Sequence, residues 1–174
     1  MRSPMANETM SYTFRDAEAR DLPMLARWLA TPEVSEWWIN PAEQLESIRG
    51  DLADPRMVTW IVAIDGRPFG YVQHYEVHTW PQPHLDHLPV GTRGIDLFIG
   101  EKDCLASGHG ARFLRIVANR LLAEGAPLII IDPDARNARA RRAFERAGFG
   151  LSAIVATADG NVALMIFDGR NEPA

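Results

Sequence analysis

The 174 residues are enough for one domain with a substantial core. With 47% apolar residues, 24% charged residues and a formal net charge of −5, the chain has no basic field for nucleic acid and suits a cationic partner instead. Its one cysteine, Cys104, excludes an internal disulfide and a cysteine-type zinc site, and no apolar run reaches the length of a membrane span.

Residues 1–11 lack the apolar stretch of a secretory signal and read as a flexible tail. Residues 12–170 read as one domain, with the cytoplasm as the expected compartment. Tyr12–Arg15 alternates and predicts a strand. Asp21-Leu22-Pro23 predicts a helix start, with Leu22, Leu25, Trp28 and Leu29 on its apolar face and Pro32 as its stop. Pro41 opens a second helix, to about Ala53, with Leu45, Ile48 and Leu52 on one side. Thr59–Ile64 and Arg67–Tyr75 form a hairpin across Asp65-Gly66. Glu76–Val90, rich in Pro and His, predicts a long loop. Gly94–Ile99 is a strand, and Gly108–Glu124 is a helix with Phe113, Leu114, Val117 and Leu121 on one stripe. Leu128–Ile131 is a buried strand, and Asn137–Ala147 is a helix stopped by Gly148. Phe149–Thr157 and Val162–Phe167 close the chain as a hairpin. The order β-α-α-β-β-β-α-β-α-β-β predicts an α/β (α+β) fold, with helices on the faces of a mixed, mostly antiparallel sheet.

Two features carry chemistry. Gly108 and Gly110, flanking His109 at a helix start, let backbone N–H groups approach an anion such as a diphosphate. Taken alone, the pair reads equally well as a turn before a surface helix. Asp96 interrupts an otherwise apolar strand, and such a carboxylate costs free energy unless it is paired or opens on a cleft. Asp132 ends the buried strand, where a sheet edge opens, while Asp134 after Pro133 reads as a turn residue. His78, His84 and His87 lie in the long loop without a supporting scaffold, so no metal site is expected. That loop reads either as substrate-shaping or as an inert solvated segment.

Ser107-Gly108-His109-Gly110-Ala111, followed by N-x2-A-x3-F-E-R-x-G-F from Asn137 to Phe149, resembles the acetyl-CoA half of the GNAT-superfamily N-acetyltransferases. The resemblance implies a GNAT-like sheet and acetyl-CoA as co-substrate, with no metal. It implies that Ser107 to Ala111 wrap the pyrophosphate, although Leu105 stands where members usually carry Gln or Arg. It brings Phe98 and Ile99 of the Gly94–Ile99 strand to the coenzyme, and expects a bulge there whose N–H groups polarise the thioester. Asn137 would contact the pantetheine arm and Phe144 would lie near the thioester. Many members carry at that place a Tyr often proposed to protonate the leaving thiolate. Arg136, Arg139, Arg141, Arg142 and Arg146 read first as a solvated face, with Arg142 the candidate for the 3′-phosphate.

Val34-Ser35-Glu36-Trp37-Trp38, Gly70 to Tyr75 and Arg93-Gly94-Ile95-Asp96 narrow the resemblance to the aminoglycoside 6′-N-acetyltransferases. That likeness implies direct attack by a substrate amine, with Asp96 as base and Asp132 as ligand for ammonium groups. Trp37 or Trp38 would stack on a sugar ring, and Gln73 and Tyr75 would line the cleft. Cys104 then needs no catalytic role. The string Gly94–Glu101 is also similar to lysine or hydroxylysine acetyltransferases of siderophore assembly. Protein N-terminal acetyltransferases and a non-catalytic acyl-CoA-binding module remain alternatives. The partner expected is a cationic small-molecule amine, with no nucleic acid and no membrane, for a monomer or homodimer.

Overall fold

A computed structural model describes residues 10–169; most of the expected tail lies outside the described residues. The chain runs β1 (Tyr12–Asp16), α1 (Leu22–Leu29), α2 (Pro32–Ser35), α3 (Pro41–Asp51), β2 (Met57–Ile64), β3 (Arg67–Glu76) and β4 (Arg93–Ile99). It continues with α4 (His109–Ala123), β5 (Ile129–Ile131), α5 (Ala138–Ala147), β6 (Phe149–Thr157) and β7 (Gly160–Phe167). Short 3-10 turns at Ala19–Asp21 and Lys102–Cys104 precede α1 and α4. Pro32, expected to stop a helix, opens the short α2, because the missing N–H of proline is harmless in a first turn. No helix among the described residues is long and apolar enough to cross a membrane.

The seven strands form one sheet in the order β1-β2-β3-β4-β5-β7-β6. Every neighbouring pair is antiparallel except β4 with β5. That parallel pair is short, matching only Arg93 with Ile129 and Gly94 with Ile130. Beyond Gly94 no ladder joins the two strands, so β4 runs on to Ile99 while β5 ends at Ile131 and the sheet parts. The bulge expected in β4 is absent from its pairing with β3, which is continuous from Gly70 to Glu76. The parting takes its place as the feature that exposes the edge of β4.

Each face of the sheet has its own core. On one, Leu25, Trp28 and Leu29 of α1 and Ile48 of α3 cover Ile61, Tyr71 and Phe98. On the other, Phe113, Leu114, Val117 and Leu121 of α4 and Phe144 and Ala147 of α5 cover Val62, Val72, Ile95, Ile129 and Ile131. The segment between β3 and β4 has a small core of its own. Val77, Leu85 and Leu88 are buried against Tyr75, Ile130 and Leu164. This excludes the inert, solvated reading of that loop.

Gly100 ends β4 because nothing larger fits. A Cβ there would stand 2.0 Å from the ring of Trp28, which is fully buried and donates its indole N–H to Glu101 at 2.8 Å. Gly100→Ala is expected to destabilise the fold by roughly 1–3 kcal/mol through overpacking. Gly50→Ala in α3, where a Cβ meets nothing within 4 Å, is expected to be neutral or stabilising. Urea midpoints of the two variants against the parent check this, and equal midpoints would refute the close-approach account.

Candidate active site

The loop before α4 is shaped to present backbone donors. Ala106 has φ 58° and Gly108, the N-cap, has φ 78°. This left-handed step turns the chain into α4, so the first N–H groups of the helix lack intrahelical partners and carry the positive end of its dipole. A cavity lies against them, walled by Leu97, Phe98 and Ile99 of β4, by the segment Gly108–Ala111, and by Ala140, Ala143 and Phe144 of α5. The parting of β4 from β5 leaves this room. His109 lines the cavity too, with its ring buried and its Nδ1 2.7 Å from the Tyr12 hydroxyl. Ser107 is exposed, with its hydroxyl bonded to Leu105 O, and is not part of the wall.

Asn137 caps α5, its side-chain oxygen accepting from Ala140 N–H at 3.1 Å, and it lines this cavity and its neighbour. Phe144 is buried and also walls both. Among the arginines of α5, Arg139 and Arg146 reach the wall while Arg142 does not. At 100° per residue, Arg142 falls outside the arc shared by Arg139, Ala143 and Arg146. Cys104 lines the same cavity; burial holds its thiol above the usual range.

The neighbouring cavity shares Trp37, Trp38, Leu97, Asn137, Ala140 and Phe144 with the first. It adds Gln73, Asp96 and Asp132, and these three also border a third cavity that reaches Asp51, Tyr75, Trp80 and Gln82. Pairing of β3 with β4 sets Gln73 opposite Asp96. The Tyr71 hydroxyl donates to Gln73 Oε1 at 2.8 Å, which turns the Gln73 amide N–H₂ toward Asp96 Oδ2 at 3.0 Å. Asp96 thus has a neutral partner, and burial, then the charges of Asp132 and Asp51, push its pKa up to about 7. Trp38 is wedged edge-on against Phe98, with ring centroids 5.0 Å apart, so part of it belongs to the core and Trp37 is the freer wall. Tyr75 packs edge-on against Trp80, and the negative charge of Asp96, with burial, holds its hydroxyl protonated.

Neither of these two cavities has a Lys or Arg among its lining residues. Two groups escaped the sequence reading. Asp51 is the last residue of α3, and burial and Asp54 raise its pKa. An acid at the negative end of a helix dipole was the available signal. His84 comes from the β3–β4 loop, and its Nε2 meets Asp132 Oδ2 at 2.8 Å. His78 Nε2 instead meets Leu88 O, and His87 is exposed, so the three loop histidines serve different partners. Among the described residues no group of His, Cys, Asp or Glu is arranged to hold a metal.

A wedge with a helix N-terminus at one wall, opening on an acidic pocket, is an arrangement suited to acyl transfer from an anionic carrier to a cationic acceptor. Residues 17–157 match the family model of the acetyltransferase (GNAT) domain, and the chain belongs to that family. It is 30% identical to the aminoglycoside N(6′)-acetyltransferases type 1 of Klebsiella pneumoniae and Serratia marcescens, over 94% of this chain and 86% of each relative. Among solved structures it resembles aminoglycoside acetyltransferase AAC(6′)-Ib in complex with coenzyme A and kanamycin. The TM-score is 0.80 at 30% identity, covering 90% of this chain and 94% of that one. The same enzyme with paromomycin and acetyl-CoA gives a TM-score of 0.82 at 28% identity, over 94% and 99% of the two chains. These similarities agree with the fold and family read from the sequence.

Asp96 also carries a stability signature. An unfolded Asp releases its proton near pH 3.9, whereas the fold retains this one to about pH 7. The native state therefore binds the extra proton, and this group lowers stability as pH rises across that window. Asp96→Asn is expected to gain on the parent progressively from about pH 4 to about pH 7. Urea denaturation across that range reads the difference, and a flat difference would refute a retained proton.

Proposed function

We propose that this chain transfers the acetyl group of acetyl-CoA to a primary amine of a polycationic small molecule, most specifically the 6′-amine of an aminoglycoside antibiotic. The observation that carries the reading is the shared wall. Trp37, Trp38, Asn137 and Phe144 border both the cavity at the α4 N-terminus and the pocket of Asp96 and Asp132. Relatives crystallised with coenzyme A and with kanamycin, paromomycin or ribostamycin support the same assignment.

The residues fit the coenzyme. Unpaired N–H groups and the dipole of α4 suit a pyrophosphate, and Gly108 and Gly110 keep Cβ atoms away from it. Arg139 and Arg146, rather than Arg142, stand where a phosphate on the outer part of the coenzyme would meet a guanidinium. The edge of β4 beyond Gly94, free of a strand partner, offers backbone groups to the pantetheine arm and the thioester carbonyl.

On the acceptor side, Asp132 and Asp51 attract ammonium groups, with Trp37 and Trp80 as flat walls for sugar rings. Ionised Asp96 takes a proton from the ammonium, directly or through water, and the free amine then attacks the thioester carbonyl. A base with a pKa of about 7 is matched to this task, since it is ionised near neutrality and still basic enough to hold the proton. Phe144 has no proton to give, so the proton that the amine nitrogen sheds on becoming an amide passes through water to the leaving thiolate, which departs as the thiol. All these groups come from one chain. Because acetyl-CoA is a cytosolic metabolite, the cytoplasm is the place of work.

Thiol release from acetyl-CoA with aminoglycosides, lysine, hydroxylysine and N-terminal peptides tests the reading. Turnover is expected with aminoglycosides. Acetyl-CoA binding without turnover of any amine would instead mark a binding module. Asp96→Asn is expected to lower turnover by about two orders of magnitude or more, with little change in acetyl-CoA affinity. The parent kcat/KM is expected to rise with pH to a plateau above about 7, a limb lost in the variant. Gly110→Asp sets a negative charge against the pyrophosphate and is expected to weaken acetyl-CoA binding by about tenfold or more by calorimetry. Unchanged affinity would place the coenzyme elsewhere.

A further inference from the structure

The β3–β4 loop is held in shape from within. Val77, Leu85 and Leu88 are buried, the Glu76 carboxylate accepts the N–H groups of His78 and Gly91, and Leu85 N–H bonds Gln82 O. Pro81 and Pro83 stiffen the approach to His84. The imidazole of His84 is therefore delivered to a fixed place. Its Nε2 lies 2.8 Å from Asp132 Oδ2, with the two side chains 10% and 14% exposed. An ionised carboxylate can only accept, so Nε2 is the donor. Asp132 borders both acceptor-side cavities, whereas His84 borders neither. The ring thus braces the carboxylate from behind the cleft wall.

We propose that His84 is a positioning residue for acceptor binding: its Nε2–H fixes one oxygen of Asp132 and so aims the other at an ammonium group of the acceptor. The proposal rests on the acetyltransferase reading above and assigns its loop a defined part. Burial alone favours the neutral acid at Asp132, and the His84 hydrogen bond works against that. A buried carboxylate held by nothing would lose direction and charge together. Asp96 has the Gln73 amide for this purpose, and His84 is the counterpart for Asp132. The loop therefore joins acceptor recognition through this contact as well as through Trp80 and Gln82, which line the third cavity.

Steady-state kinetics of thiol release with kanamycin and acetyl-CoA test this. His84→Ala is expected to raise the acceptor KM by about tenfold, the loss of one charge-assisted hydrogen bond. The acetyl-CoA KM and kcat are expected to stay within about twofold. His84→Gln, whose amide N–H₂ stands near the place of Nε2, is expected to restore most of the affinity. His87→Ala, three residues on and exposed, is expected to match the parent. In an Asp132→Asn background the further change His84→Ala is expected to add nothing. An unchanged acceptor KM in His84→Ala would overturn the proposal. So would equal losses in kcat and both KM values that His84→Gln fails to relieve, since those would mark a purely structural role. A parent protein that binds acetyl-CoA but turns over no aminoglycoside would instead overturn the acceptor assignment, and this inference with it.

Discussion

Two parallel strands that pair over two residues and then separate leave a wedge in an otherwise continuous sheet. Backbone groups along such a wedge need partners, and among the described residues no strand provides them on that side of β4. A ligand with its own donors and acceptors, inserted there, completes the sheet in place of a strand. The rest of the architecture follows from keeping that gap open. Helix α4 starts at its mouth and offers unpaired N–H groups, and α5 closes the opposite side with Ala140 and Phe144. Trp28, seated on Gly100, locks the end of β4 against α1, so the open edge does not drift.

The second organising theme is charge without counter-charge. Asp51, Asp96 and Asp132 share a pocket whose lining includes no Lys or Arg, and burial raises the pKa of each. Other acids sit against an arginine: Asp21 with Arg15, Asp103 with Arg67, Asp134 with Arg136. Acids held in a pocket without Lys or Arg cost the folded state free energy, and such a pocket suits a cationic guest.

Much of this was legible from spacing. Alternation and helical periodicity located the strands and the three long helices to within a few residues. Glycine spacing and the Asn137–Phe149 pattern pointed to residues that line one cavity at the α4 N-terminus, and Asp96 announced itself as a charge in an apolar strand. What escaped depended on contacts distant in sequence. Pro32 reads alike as a helix stop and a helix start. The arginines of α5 are equivalent by composition, and only the packing angle of the helix separates Arg139 and Arg146 from Arg142. His84 lies 48 positions from Asp132, and nothing local ties them. The loop looked irregular because its three apolar anchors, Val77, Leu85 and Leu88, follow no single period.

Cys104 shows what a cavity that receives a thioester would have to avoid. A sulfur nucleophile beside an activated acyl group is a competitor to the amine, able to capture the acetyl on itself and stall the enzyme. Only the thiolate competes well, and burial in apolar surroundings keeps this sulfur protonated. On the proposed reading, the wall that would shelter a reactive ester also keeps this thiol unreactive.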